Sequence, residues 1–348
     1  MVELEMPEFT QEAMQSFYRE RDYLAAKGYS GPLPAVSFLA ISGGSDNGAY
    51  GAGLLCGWTA AGNRPEFKGV TGISTGALIA PFAFLGPKYD YVLKKVYTEV
   101  SPKDILEHRY LLAAIYDDAL ADNAPLGRLV KQYITKDLLQ EIAQEYRRGR
   151  LLLIATTNLD VRESVIWNMG KLAEYGTDEA LDLFHKILLA SAAIPGAFPP
   201  MMIDVEANGR SYQEMHVDGG AMAEVFLYPP AHKLGDLVKQ KGMRRERKLY
   251  VIRNARLDPD WAEVERRAMS IAARAVSSLI HSQGIGDLFQ IYAETQRDGI
   301  EFNFGYIPKT FNEPHVEDFD TNYMRKLFQY GYDAAVKGYQ WNKAPPGL

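Results

Sequence analysis

The chain has 348 residues, of which 47% are hydrophobic, and it carries a net charge of −6. This composition is typical of a globular protein with a large core, and the length accommodates one large α/β domain or two smaller ones. The acidic balance argues against a nucleic-acid-binding surface. The single cysteine, Cys56, excludes an intramolecular disulfide and a cysteine-built zinc site, and we interpret it as a buried packing residue.

The N-terminal segment is acidic and lacks the apolar region of a signal peptide. The longest apolar stretch, residues 77–85, is far shorter than the ~20 residues that span a bilayer. We therefore predict neither a signal peptide nor a transmembrane segment in this chain. The sequence does not decide between a cytoplasmic protein and a trimmed protein of the cell envelope.

Taken in chain order, the hydrophobic pattern predicts strands that alternate with helices. This alternation indicates an α/β fold with a mainly parallel sheet. The predicted helices cover 9–27, 48–62, 75–85, 124–134 and 136–149 within a mostly helical segment 89–148, then 178–194 and a long stretch within 261–296. The predicted strands cover 35–42, 67–74, 150–159, 163–170, 210–220 with a terminal turn, and 248–255.

The first strand is followed by "ISGGSDNGAYGAG", residues 41–53, which contains five glycines. A dinucleotide fingerprint is a poor match, because the G-x-G-x-x-G spacing is absent and no acidic residue closes a second strand about twenty residues later. A Walker A loop is absent as well, since no G-K-[ST] occurs. The run of glycines therefore indicates a site other than a nucleotide-binding one.

The second strand is followed by "GISTG", residues 72–76, and then by an apolar helix. G-x-S-x-G between a strand and a helix is the context of a nucleophile elbow, which would expose Ser74 at the end of the strand. If the two strands are neighbours, the N–H groups around Gly43, Gly44 and Ser45 can face the same point and stabilise an oxyanion. The alternative is that these glycines only form a tight turn between strand and helix.

A serine nucleophile needs a base, and "HVDGG" at residues 216–220 offers Asp218. Aspartate is an ordinary weak base, but a close, oriented hydrogen bond in a partly dry site lets it accept the serine proton during attack. The alternative is an ordinary turn aspartate before two glycines, which is a common hairpin signal. Spacing alone does not decide between the two interpretations.

The blocks "GGSDNGAYGAG", "GISTG" and "DGG", in that order, resemble the three signature blocks of the patatin-like phospholipases. The stretches "ATTNLDVRESVIWNMG" and "LLASAAIPGAFPP" resemble segments of bacterial members, and the similarity covers roughly residues 36–230. The resemblance implies a three-layer α/β/α fold with a mainly parallel central sheet. It also implies a serine hydrolase with a Ser–Asp dyad that acts on acyl esters of lipids, without a metal or another cofactor.

The resemblance assigns the nucleophile to Ser74, the base to Asp218 and the oxyanion hole to Gly43, Gly44 and the backbone of Ser45. The glycines that support these motifs are Gly48, Gly72, Gly76, Gly219 and Gly220.

This sequence departs from the frequent family block G-G-G-x-R-G in two places, since Ser45 replaces the third glycine and Asn47 the basic residue. We expect the backbone of Ser45 to donate as long as its φ and ψ are ordinary, and Asn47 to hold the loop by hydrogen bonding. Without the basic residue a contact to a lipid phosphate is lost, so the prediction is ester hydrolysis rather than a preference for phospholipids.

We divide the chain into an N-terminal helical extension (1–34), a catalytic core (35–230) and a C-terminal part (231–348) whose strand and helices complete the same domain. The expected partners are a lipid or another acyl-ester substrate and, transiently, a membrane surface, with no nucleic acid. The basic run 239–248 is interpreted as a solvated helix end, because Glu246 interrupts it.

Four apolar residues are candidates for contact with an acyl chain, with an ordinary core position as the alternative for each. They are Phe84, Trp167, Phe198 and Met201.

Three other functions remain open, and the first is an acyltransferase, which would use the same residues. An α/β-hydrolase would need a histidine after the acid, and His232, His281 and His315 follow Asp218 in the chain. A non-catalytic lipid- or protein-binding module would keep the fold without the chemistry. His216 shares a strand face with Asp218, so we expect it near the site in a supporting role.

Overall fold

A computed structural model describes residues 6–105, 107–108, 121–207, 209–228, 245–258 and 264–348. The helices are α1 (Met6–Ala26), α2 (Gly48–Ala60), α3 (Thr75–Leu85), α4 (Asp90–Glu99), α5 (Pro102–Ile105), α6 (Ala124–Tyr133), α7 (Lys136–Arg147), α8 (Met169–Glu174), α9 (Asp178–Ser191), α10 (Ala268–Asp298) and α11 (Thr321–Val336). The strands are β1 (Val36–Ile41), β2 (Phe67–Gly72), β3 (Glu107–His108), β4 (Ala121–Asp122), β5 (Leu151–Asn158), β6 (Glu163–Asn168), β7 (Met201–Ala207), β8 (Arg210–Asp218), β9 (Arg247–Arg253) and β10 (Glu301–Tyr306).

The central sheet has eight strands in the order β10-β9-β1-β2-β5-β8-β7, and β6 also pairs with β5. The five strands from β10 to β5 are parallel, whereas β6, β8 and β7 are antiparallel to their neighbours. The neighbouring position of β1 and β2 brings the loops that follow them to one edge of the sheet. The predicted fold, a mainly parallel sheet between helices, is confirmed.

Two hydrophobic clusters lie on the two faces of this sheet. The larger one packs α2, α3, α4, α6, α7 and α9 against residues such as Leu39 and Ile41. The smaller one packs Phe9 of α1 and Leu288 and Ile291 of α10 against Ala40. Successive residues of β1 thus point to opposite layers, which is why the predicted strand is a continuous apolar run.

Two glycines of α2 are needed for helix packing. A Cβ on Gly53 would lie 2.0 Å from the carbonyl oxygen of Phe328, and one on Gly57 would lie 2.2 Å from that of Tyr332. The backbones of α2 and α11 therefore touch, and only glycine fits between them. Cys56, in the same helix, is buried as predicted.

Some elements were not predicted from the sequence. These are α8, β7, β10, α11 and the short pair β3–β4. The pair β3–β4 lies inside the segment predicted to be mostly helical, and α8 begins at Met169, within the predicted strand 163–170. In the basic run, only residues 245–248 are described, and Arg247 and Lys248 begin β9 rather than end a helix. Among the described residues, no helix is long and apolar enough to cross a membrane.

Candidate active site

Ser74 lies in a sharp turn between the end of β2 and the first residue of α3. Its backbone has φ 55° and ψ −125°, in the left-handed half of the Ramachandran map that residues with a side chain rarely adopt. Such a conformation costs on the order of 1–3 kcal/mol and persists only where the surrounding structure fixes it. The turn is tight as well, because a Cβ on Gly76 would lie 2.3 Å from the carbonyl oxygen of Ile41.

A second serine holds this turn. The Ser74 N–H donates to Ser191 Oγ over 3.0 Å, and the Ser191 hydroxyl donates to the carbonyl of Ala155 over 2.7 Å. The end of α9 is thereby tied both to β5 and to the turn that carries Ser74. Sequence reasoning missed Ser191, although a buried serine at the end of an otherwise apolar helix was a signal that could have identified it.

Asp218 is the last residue of β8, and it is buried beside Ser74. Its carboxylate accepts the N–H of Gly220 over 2.7 Å, and the Ser74 hydroxyl lies near enough to stabilise its charged form. Burial raises the pKa of Asp218 to about 7, and the Ser74 hydroxyl and the Gly220 N–H only partly oppose this rise. The structure thus brings Ser74 and Asp218 together, with the carboxyl half ionised near neutral pH.

The glycine loop offers two backbone donors rather than three. The Gly43 N–H donates to the Glu224 carbonyl over 3.1 Å, so it is not available to a substrate. The N–H groups of Gly44 and Ser45 find no acceptor within the described part of the chain. Of the three donors predicted for an oxyanion hole, the N–H groups of Gly44 and Ser45 thus remain available to a substrate.

The condition set for Ser45, an ordinary φ and ψ, is not met, although its N–H still has no acceptor among the described residues. Its φ is 53°, so this serine occupies a left-handed position that suits glycine, with a penalty of roughly 1–2 kcal/mol for a side chain. Gly44 precedes it at φ 142°, and a Cβ there would lie 2.1 Å from the Asn254 carbonyl oxygen. The loop thus combines two unusual backbone positions, of which only one is a glycine.

Residues from the C-terminal third hold this loop. Asn254, which follows β9, donates from Nδ2 to the Ser42 carbonyl over 3.0 Å and accepts the Gly51 N–H on Oδ1 at 3.0 Å. Buried Asp46 accepts the N–H of Phe319 at 2.9 Å and contacts His315 Nε2 at 2.7 Å. None of these partners was identified from the sequence.

Asn47 holds the loop as expected. Its Oδ1 accepts the hydroxyl of Tyr323 over 2.7 Å, which ties the start of α2 to α11. The family's basic residue at this position is thus replaced by a structural hydrogen bond.

Ser74 lies at an apolar cavity of about 60 Å³. A second apolar cavity, of about 50 Å³, shares four lining residues with the first, so the two are adjacent. The shared residues are Leu78, Val96, Tyr97 and Leu126.

Of the four residues considered for acyl contact, Phe198 lines the first cavity, whereas neither cavity is lined by the other three, Phe84, Trp167 and Met201. Phe84 and Trp167 belong to the main hydrophobic cluster, and Met201 is partly buried against it. These three residues therefore occupy ordinary positions in the core or against it.

The histidines make other contacts. His216 is fully buried, with Nδ1 2.9 Å from Thr156 Oγ1 and Nε2 3.2 Å from Glu214, and its ring lies against Trp167. His315 binds Asp46, and the carbonyl of His281 accepts from Arg253 over 3.3 Å. His232 lies outside the described residues. The side chains of His216 and His315 are thus bonded to groups other than the Ser74–Asp218 pair.

A second buried acid, Glu224, lies behind the site and was missed by sequence reasoning. A Cβ on Gly43 would lie 2.7 Å from the Glu224 carboxyl, and one on Gly220 would lie 2.8 Å from it. Glu224 therefore packs between the glycine loop 43–47 and the turn after Asp218. Burial, reinforced by Asp218, raises the pKa of Glu224 to about 8, while the neighbouring Arg253 lowers it. Within the described residues, no cluster of three or more His, Cys, Asp or Glu side chains is arranged to hold a metal ion.

Comparisons with known proteins place this site in a family. The model of the family described as patatin-like phospholipase matches residues 39–230. A search of curated proteins found no match. Among solved structures, VipD from Legionella pneumophila aligns with a TM-score of 0.41 and 11% identity, over 87% of this chain and 66% of VipD, just under two thirds of its length. Because the family model covers more than half of the sequence, the chain belongs to the patatin-like phospholipase family.

Proposed function

We propose that the protein is a serine acyl hydrolase that cleaves carboxylic esters of lipids through an acyl-enzyme on Ser74. Membership of the family supports lipid acyl hydrolysis in general. The observation that carries the finer proposal is the placement of Ser74, on its strained turn at an apolar cavity, next to the buried Asp218 carboxylate, whose charged form its hydroxyl stabilises.

In the first step Ser74 Oγ attacks the ester carbonyl while Asp218 accepts its proton. The carbonyl oxygen becomes an oxyanion, which the N–H groups of Gly44 and Ser45 are placed to stabilise. Collapse of this intermediate breaks the bond to the alcohol, which leaves with the proton from Asp218. Water then attacks the acyl-enzyme while Asp218 accepts its proton. As the bond to Ser74 Oγ breaks, Asp218 returns that proton to the serine oxygen, and the fatty acid is released.

The raised pKa of Asp218 supports its role as base. An ordinary aspartate is a poor proton acceptor at neutral pH, whereas a carboxyl with a pKa of about 7 is both partly ionised and more basic. The cause is burial, which removes water from the carboxylate. The same desolvation strengthens the backbone hydrogen bonds to the oxyanion.

The cavities support an apolar acyl group as the part of the substrate that is bound. Leu78, Val96 and Leu126 belong to the cavity next to Ser74 and also to the one behind it. Burying methylene groups there stabilises the complex by about 0.8 kcal/mol each, which favours lipid esters over small polar esters.

The experiment is active-site labelling together with hydrolysis of p-nitrophenyl butyrate. We expect a fluorophosphonate probe to label Ser74, and Ser74→Ala to remove both the label and hydrolysis by at least about 10³-fold. Asp218→Asn should lose comparable activity. Ser45→Ala is the matched control, since it removes a nearby hydroxyl but keeps the backbone donor, and it should still be labelled.

Three outcomes would contradict the proposal. A label that persists in Ser74→Ala would place the nucleophile elsewhere. Loss of activity in a folded variant of His281 or His315, with Asp218→Asn active, would indicate a Ser–His–Asp triad. A protein that neither reacts with the probe nor hydrolyses any ester of a panel would be a non-catalytic binding module.

A further inference from the structure

The N-terminal half of α10 projects beyond the sheet, on the edge that carries Ser74. Asp298 ends the helix near the opposite edge, because β10 begins at Glu301 and pairs there with Lys248. Arg253, the last residue of β9, donates to the His281 carbonyl at the Ser74 edge. At 1.5 Å per residue, the turns before His281 extend about 20 Å past the sheet.

This projecting segment turns its apolar face outward. At 100° per residue, five apolar residues fall on one side of the helix, whereas Arg274 and Ser277 lie on the other side. In the C-terminal half of the same helix, by contrast, Leu288 and Ile291 are each only 1% exposed. The exposed apolar residues are Ile271 (54%), Ala272, Ala275, Val276 (39%) and Leu279 (69%).

The charges around this face are mainly positive. Arg266 and Arg267 are exposed at the start of the helix, and Arg274 lies on its polar side. Among the described residues from 264 to 281, Glu265 is the acid that opposes them, and it pairs with Arg267 over 3.2 Å. In a chain with a net charge of −6, this segment is therefore a local cationic region. A helix with an apolar face and arginines on its polar side is typical of a segment that lies in a lipid–water interface.

We propose that the segment 266–281 docks on the surface of a lipid assembly, with its apolar face in the acyl layer and its arginines near anionic head groups. The exposed strip is about 20 Å long and one helix wide, roughly 200 Å², which is far less than the ~800 Å² per partner of a stable dimer. A lipid surface needs no such area, because each apolar side chain inserts on its own. Docking here places lipid esters at the edge that carries Ser74. The choice of lipid rests on the proposed function, whereas the docking itself is tested without it.

The test is flotation of the hydrolysis-deficient Ser74→Ala protein with vesicles of phosphatidylcholine, with and without phosphatidylglycerol. We expect binding that increases with phosphatidylglycerol. Leu279→Glu in the same background should weaken binding by at least about tenfold, because it removes an inserted side chain and adds a charge to the buried face. Ser277→Glu adds the same charge to the opposite face of the same helix and is the matched control, expected within about threefold.

The second measurement is hydrolysis by the otherwise wild-type chain. Leu279→Glu should retain kcat/KM for soluble p-nitrophenyl butyrate and lose hydrolysis of vesicle phospholipid by the factor seen in binding. Equal binding of Leu279→Glu and Ser277→Glu, or no binding of the Ser74→Ala protein, would overturn the inference. So would a change of oligomeric mass in Leu279→Glu, which would identify a second copy as the partner. Retained hydrolysis in Ser74→Ala would contradict the proposed function alone, since the flotation result is independent of it.

Discussion

At the scale of single residues, three of the buried carboxyls around the site differ in their hydrogen bonds. Asp218 accepts the Gly220 N–H over 2.7 Å, and Asp287 accepts the Glu224 N–H over 2.6 Å. The Glu224 carboxyl accepts no hydrogen bond from any residue that the structure describes. Because hydrogen bonds stabilise the charged form, Glu224 is the acid that keeps its proton to the highest pH.

Because the pKa of Asp218 lies below that of Glu224, we predict a bell-shaped pH dependence of kcat/KM. Activity should rise as Asp218 ionises around its pKa of about 7, because only the carboxylate accepts the serine proton. It should fall as Glu224 ionises around its pKa of about 8, because a second negative charge beside Asp218 opposes the oxyanion. In Glu224→Gln this fall should disappear. One pH unit above the Glu224 pKa, the variant should retain about tenfold more of its maximal activity than the wild type.

The control for this prediction is Glu294→Gln. Glu294 is also a buried acid whose pKa burial raises to about 7, and it lies on α10 seven residues beyond Asp287. Its substitution should leave the profile unchanged, since it is not in contact with the site loops. If Glu224→Gln keeps the fall of the wild type, or Glu294→Gln loses it, the alkaline fall has another cause.

Ser45 shows what a motif comparison misses at this scale. The sequence shows that serine replaces a glycine. The conformational energy of that replacement depends on φ, which is 53° in the folded chain. A backbone angle is set by the two ends of the loop, here the end of β1 and the start of α2. The identity of the residue alone does not reveal it.

At the scale of elements, helices α3, α4 and α6 supply the side chains that line both cavities. Leu126, near the start of α6, is buried and is one of them. We expect Leu126→Trp to fill space in both cavities, so that p-nitrophenyl palmitate loses at least about tenfold in kcat/KM while the butyrate changes less than about twofold. The reason is that overfilling a packed site excludes volume that only the longer chain needs.

Leu126→Met conserves the volume and is the control, expected to behave as the wild type with both esters. Chain-length series measured on the two variants give the comparison. An equal loss for both esters in Leu126→Trp would mean that Leu126 supports the fold and does not select the acyl chain.

At the scale of the whole molecule, the glycine loop 43–47 depends on residues outside the segment 39–230 that the family model matches. Asn254, His315, Phe319 and Tyr323 all contact it from the C-terminal third. Strands β9 and β10 from this third also extend the central sheet beside β1. We propose on these grounds that the C-terminal part completes the catalytic domain.

The pair of His315 and Asp46 predicts how stability depends on pH. The Asp46 carboxylate raises the pKa of His315 above its ordinary 6.5. A raised folded-state pKa gives stabilisation that is fully present below pH 6.5 and is lost as the pH rises through the folded value. Because His315 is partly exposed, the effect should be no more than about 1 kcal/mol.

We therefore expect His315→Gln to unfold at lower urea concentration than the wild type below pH 6.5, with the difference fading at alkaline pH. In an Asp46→Asn background, His315→Gln should show no such pH dependence. A difference that is constant with pH, or one that persists in Asp46→Asn, would show that the charge of His315 is not the cause.

The sequence by itself determined the local parts of this protein. The apolar runs of β1, β2 and β5 and the turn residues around Ser74 and Asp218 are local signals, since each is fixed by neighbours in the chain. They were sufficient to predict the mainly parallel sheet, the family and the candidate dyad. The weaker patterns of β7, β10 and α11 were not recognised, because their positions depend on packing against distant elements such as α2.

Only the tertiary structure decided which groups meet. It showed that the Gly43 N–H is occupied by Glu224, that Ser191 holds the Ser74 turn, and that Asn254 and His315 hold the loop from far along the chain. It also showed that α10 projects past the sheet with its apolar face outward. These contacts join residues that are far apart in sequence, and their energies depend on burial and distance, which exist only once the chain has folded.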